Sequence, residues 1–166
     1  HDALPISSRL RRAGNPAQAT RYLISEAHLP LKLHFIYFDG DEVDLIPESV
    51  KRKLRKFAMD LGKCTEIPHK LEVQFMPAAV LTGDGKDLNW GHFFIDNGNP
   101  VIQLACAKTW KTPEGLAVGM HQVKDTLAHE VSHYEQWRDG KDHHNERGRA
   151  VRARNLVRLT EEEMRG

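Results

Sequence analysis

The sequence predicts an α+β domain: a small, twisted, mostly antiparallel sheet, then a long helix, then a second, C-terminal helix. Three observations carry this. Strand-forming runs cluster ahead of residue 107, an Asn-Gly turn joins two of them, and a helical period takes over near residue 118. The order reads β-α-β-β-β-α-α.

Residues 1–30 are rich in Arg and Ala, are broken by Gly14-Asn15-Pro16 and Pro30, and hold no sustained period. They are expected to form a tail or linker, with a short helix near Pro16–Ala27 as the one candidate element. The opening His1-Asp2-Ala3-Leu4-Pro5-Ile6 resembles translated sequencing adapter, so this tail is expected to be partly non-native. The folded domain is expected over 31–166. Leu31–Phe38 is rich in strand formers and stops at Asp39-Gly40-Asp41, a turn signal. Pro47-Glu48 opens a helix in which Val50, Leu54, Phe57, Ala58 and Leu61 recur at three- and four-residue spacing, and Gly62 closes it. Lys70–Met76 alternates Leu71, Val73 and Phe75 against polar neighbours, as a half-buried strand does. Thr82–Gly85 reads as loop. Trp90–Asp96 and Pro100–Cys106 are joined by Asn97-Gly98-Asn99, the strongest hairpin signal in the chain. A long helix is expected over Val118–Trp137, a break at Asp139–Asp142, and a last helix over Asn145–Arg158, with Glu161–Glu163 as a frayed acidic end.

The chain has 166 residues, 40% apolar and 28% charged, which suits one ordinary globular domain rather than a disordered segment. Lys and Arg number 24 against 23 Asp and Glu, a balance that argues against a dedicated nucleic-acid or membrane-surface protein. Two cysteines far apart, Cys64 and Cys106, exclude a disulfide scaffold and a cysteine zinc ribbon. A reducing, cytoplasmic setting is expected, with no secretory signal and no membrane span. Cys106 reads as a buried small hydrophobe, and Trp110 and Trp137 as core or loop anchors.

Ten histidines are present, and five fall in the last 46 residues. Among them, His129-Glu130-Val131-Ser132-His133 is a His-Glu-x-x-His motif within the long helix. Four residues advance a helix by one turn, about 6 Å, so both imidazoles share a face and can reach one ion. Glu130 lies about 100° round the helix, beside the pair, where it can take a proton from an attacking water. Chance yields roughly 0.04 such matches in a chain of this composition.

A catalytic zinc site needs a third protein ligand and an open position. The metzincin spacing fails, because Gln136 and Asp139 stand where Gly and His are required. His143, His144 and Glu146 remain. Glu146 is favoured, as the head of a helix whose Ala150, Ala153 and Val157 share its face and whose first turn favours an acid. His144 or His143 could instead be the third ligand or stabilise an oxyanion.

The run His129-Glu130-Val131-Ser132-His133-Tyr134-Glu135-Gln136-Trp137, followed by Glu146, Ala150 and Ala153, resembles small gluzincin-type metallopeptidases. The phage- and bacteria-borne minimal zincins are closest in character, and ImmA-like and SprT-like proteases are similar in layout. The resemblance implies a zincin-like fold and a zinc-dependent peptidase acting on protein or peptide. It implies His129, His133 and Glu146 as Zn2+ ligands and Glu130 as general base. It also implies that an edge strand binds substrate backbone, with Gly91-His92-Phe93 or Gln103-Leu104-Ala105 as the segment concerned. SprT-like proteins carry a His commonly followed by Gly, whereas His144 is followed by Asn145. Larger gluzincins carry an Asp just after the third ligand, where this chain has Arg147-Gly148-Arg149-Ala150. Asp125 is one candidate to orient a ligand histidine.

A non-catalytic, zinc-stabilised peptide- or DNA-associated module is the alternative, closed by four ligands from His129, His133, His144 and Glu146. Basic faces at Lys51–Lys56 and Arg147–Arg158 read as solvated helix surface, with a nucleic-acid footprint as the lesser option. A monomer is expected.

Overall fold

The computed structural model describes residues 35–38, 46–76, 80–81, 88–106 and 112–166. The expected tail and short helix over 1–30, the start of the first strand, the turn at 39–41, the loop at 82–85 and Trp110 lie outside these.

The described chain forms β1 (Phe35–Phe38), α1 (Glu48–Leu61), β2 (Glu72–Met76), β3 (Val80–Leu81), β4 (Leu88–Asn89), β5 (Gly91–Asp96), β6 (Asn99–Ala105), α2 (Pro113–Arg138) and α3 (Arg149–Arg165). It is a mixed α and β fold. A four-stranded sheet runs β1-β2-β6-β5, and β3 with β4 forms a separate two-stranded ladder. The expected mostly antiparallel sheet is corrected here: within the four-stranded sheet β1–β2 and β2–β6 are parallel and β5–β6 is antiparallel, as is the separate β3–β4 ladder. The reason lies in the connections. The α1 crossover returns β2 in the direction of β1, and a long excursion after Met76 brings β6 back parallel to β2. Among the described residues, the two-residue turn at Asn97-Gly98 reverses the chain tightly between paired strands. Both turn residues adopt positive φ, 50° and 85°, as this hairpin requires.

α1 buries Val50, Leu54, Phe57, Ala58 and Leu61 as one stripe. α2 begins five residues before its apolar period, because Thr112 caps it by accepting the Gly115 N–H at 3.1 Å and Pro113 sits in the first turn. Val123, Leu127, Ala128, Val131 and Tyr134 are its core residues. It lies against β5 and β6, and α3 packs against both α2 and α1. Cys106 is buried in the same core, and Trp137 is packed at its margin.

α3 starts at Arg149 rather than Asn145. Residues 142–147 are held in two side-chain-capped turns instead: Asp142 accepts the His144 N–H and Asn145 accepts the Arg147 N–H, each at 3.0 Å. Gly148 then takes φ 79°, which ends the loop and cannot continue as helix. At the other end α3 runs on through Glu161–Glu163 to Arg165, with Arg158 pairing Glu162 one turn on at 3.0 Å. Among the described residues, no helix is long and apolar enough to cross a membrane.

Candidate metal centre

α2 places His129 and His133 one turn apart, with Nε2 atoms 3.3 Å from each other. Glu146 reaches both from the loop between α2 and α3. One carboxylate oxygen lies 3.1 Å from His129 Nε2, and the other 2.8 Å from His133 Nε2. The three donors fall within 4.8 Å of one another. Glu146 therefore comes to the pair from a turn and not from the first turn of a helix. Of the face expected to carry it, only Ala153 is buried, while Ala150 is exposed and Val157 half-buried.

The cluster is graded in exposure: the His133 side chain is 7% exposed, His129 32% and Glu146 68%. One flank is fixed by the core and the other faces solvent. Donors of a tetrahedral zinc site, each about 2.0–2.1 Å from the ion, stand about 3.3–3.4 Å apart. The His129–His133 separation of 3.3 Å matches that spacing, and Glu146 approaches the two imidazoles through different oxygens, at 3.1 and 2.8 Å. Two imidazole nitrogens and a carboxylate are also a donor set that zinc accepts, with a fourth position left free.

Glu130 sits beside the cluster, almost wholly buried. Its burial, and then the nearby Glu146 charge, push its carboxyl up to about 7 against the Phe93 N–H, which donates to it and favours the ionised form. Phe93 belongs to β5, whose outer edge pairs with no strand among the described residues. Gly91 on the same strand makes the contact possible. A Cβ there would stand 2.5 Å from Thr126 Cγ2 and 3.0 Å from Glu130 Cγ. Of the two segments expected at an open edge, Gly91-His92-Phe93 lies on the edge strand. Gln103-Leu104-Ala105 does not, because β6 is paired on both sides by β2 and β5.

His143 and His144 are not among the three convergent donors. Their rings lie 4.2 Å apart, and His143 meets Phe93 edge-on at 5.6 Å. Burial, then the His144 charge, hold His143 and also His92 of β5 below the usual histidine range. Asp125 pairs with His121 at 3.1 Å, half exposed. Arg149 donates to the Ser132 carbonyl at 2.9 Å, and Arg152 makes two bonds to Glu135, so part of the expected basic face is committed internally.

One residue of the site escaped the sequence reading. Gln136 is buried, its Oε1 lies 3.0 Å from His133 Nδ1, and its Nε2 donates to the Asn145 carbonyl at 2.8 Å. The available signal was its position three residues after His133, on the same side of the helix.

Compared with models of protein families, with curated proteins and with solved structures, the chain matches none.

Proposed function

We propose that this chain is a zinc-dependent peptidase of the zincin class, with His129, His133 and Glu146 holding the metal and Glu130 as general base. The observation that carries the reading is the convergence of three suitable donors, within 4.8 Å of one another, beside a buried carboxylate. Held by His129, His133 and Glu146, a zinc ion would supply Lewis acidity toward a scissile carbonyl and toward water.

The protein's own residues divide the remaining work. Glu130 takes the proton of the attacking water and returns it to the leaving amine, a double role open to a buried carboxyl next to His129 and near Glu146. The Phe93 N–H holds that carboxylate in one orientation. The exposed Glu146 flank leaves room for substrate, and a stretch of protein or peptide is the substrate class.

Two variants test this. Purified protein is expected to carry about one zinc per chain, as one three-ligand site demands, and H129A to lose it. E130Q is expected to keep zinc and lose hydrolysis of an unstructured protein such as casein. If E130Q cleaves as fast as the parent, the mechanism is wrong. Zinc in the parent without hydrolysis by either protein would instead favour a zinc-stabilised binding module.

A further inference from the structure

We propose that Gln136 is a positioning residue that sets two of the three donors at once, an inference that rests on reading the cluster as a metal site. Its side-chain amide has one group able to donate and one able to accept. The Asn145 carbonyl, 2.8 Å away, can only accept, so it takes the Nε2 hydrogens. Oε1 then faces His133 Nδ1 at 3.0 Å and must receive a hydrogen from it. That assigns the His133 tautomer. The proton sits on Nδ1, and the Nε2 lone pair points to His129 and Glu146.

The same amide anchors the third donor. Asn145 directly precedes Glu146, so the bond to its carbonyl fixes the loop one residue from the carboxylate. The Gln136 main-chain carbonyl also accepts the Lys141 N–H at 2.8 Å. One residue thus ties the loop to α2 near its start and next to its ligand. A carboxylate at this position could orient His133 but could not donate to Asn145. A hydrocarbon side chain could do neither.

The test measures zinc affinity by competition with a chromophoric chelator, alongside thermal unfolding of the metal-free proteins. Q136M removes both bonds at similar length and is expected to weaken zinc binding by roughly 10–100-fold while still unfolding cooperatively. Q136E restores the acceptor alone and is expected to recover part of that loss. The cobalt-substituted parent and Q136M should differ in their visible bands, which a purely structural role would leave alike. Should Q136M bind zinc as tightly as the parent, or Q136E no better than Q136M, the inference is overturned and the metal reading stands. A parent that holds no zinc, or no more than H129A, removes the metal reading and this inference with it. The nitrogen NMR signals of His133 in the zinc-loaded parent decide without any variant: Nδ1 bonded to hydrogen supports the role, and Nδ1 bonded to metal refutes it.

Discussion

Gly91→Ala probes the contact between β5 and the motif helix. The new methyl would lie 2.5 Å from Thr126 Cγ2, 3.0 Å from Glu130 Cγ and 3.2 Å from Glu130 Oε2. Carbon atoms rest at about 3.5–4.0 Å, so the strand and helix must part by about 1 Å. Thr126 cannot turn aside freely. Its hydroxyl donates to the Gln122 carbonyl at 2.8 Å, and a β-branched side chain in a helix has few rotamers. Some relief comes from β5 itself, which among the described residues is paired to β6 alone. Overpacking of this kind costs about 1–3 kcal/mol. In a chain of this length each kcal/mol lowers Tm by about 2–4 °C. Urea unfolding of the metal-free protein measures the cost, and T126S supplies the control, since it deletes Cγ2 and keeps the hydroxyl. The double variant G91A/T126S is expected to regain much of the loss, but not all, because the Glu130 contact remains. On the proposed reading hydrolysis should fall in G91A, since the new methyl presses directly on Glu130. A G91A protein as stable as the parent, or one that T126S fails to help, refutes the reasoning.

Three further outcomes are expected. Arg152→Met strips two bonds of 2.8 and 2.7 Å from the buried Glu135 carboxylate. Thr65 remains at 2.6 Å and Arg138 at 4.0 Å, so the loss measured by denaturation should stay below the roughly 3–5 kcal/mol of a fully uncompensated buried charge, and Glu135→Gln in the same chain should return part of it. Asp60 is buried, which raises its pKa, but Lys56 and Lys63 more than offset this and hold it below its ordinary 3.8. Stability from these pairs is therefore fully present above that value and lost as pH falls through the lower folded one. The gap between parent and D60N should be widest near neutrality and close below about pH 4, as pH-dependent unfolding will register. Burial pushes the Cys106 thiol up to about 12, so in native protein an alkylating reagent should label the half-buried Cys64 first and Cys106 only on unfolding, read by mass spectrometry.

Local patterns were readable in the sequence where a short-range rule decides the outcome. The apolar stripe of α1, the Asn97-Gly98 reversal and the one-turn separation of His129 and His133 all follow from neighbours within a few residues. What escaped depends on distant partners. β2 alternates in polarity, yet Glu72 and Gln74 are buried, and Gln103 of the neighbouring β6 donates to Gln74 at 2.9 Å. Its parallel pairing reflects where the crossovers return the chain, which periodicity does not encode. The true start of α2 was written in Thr112-Pro113-Glu114, but the apolar period that guides such a reading begins later. The neighbours of Glu146 favour a helix, but the Asp142 and Asn145 side chains win the competition for backbone groups and the helix starts at Arg149. Gln136 sits at a spacing that any surface glutamine could share, and only the fold reveals what it touches.

The mixed pairing of β6 also grades the entropy of sheet assembly. Two residues separate Asp96 from its partner Asn99, whereas 28 separate Met76 from Ala105 across the parallel β2–β6 seam. Loop-closure entropy makes the parallel seam about 2 kcal/mol harder to close. The β1–β2 seam, with 36 residues between Phe38 and Phe75, is harder again by the same measure. On chain entropy alone, the hairpin is thus the first part of the sheet to close. The strand that leaves room for Thr126 at Gly91 and offers its Phe93 N–H to Glu130 is the one whose pairing asks least of the rest of the chain.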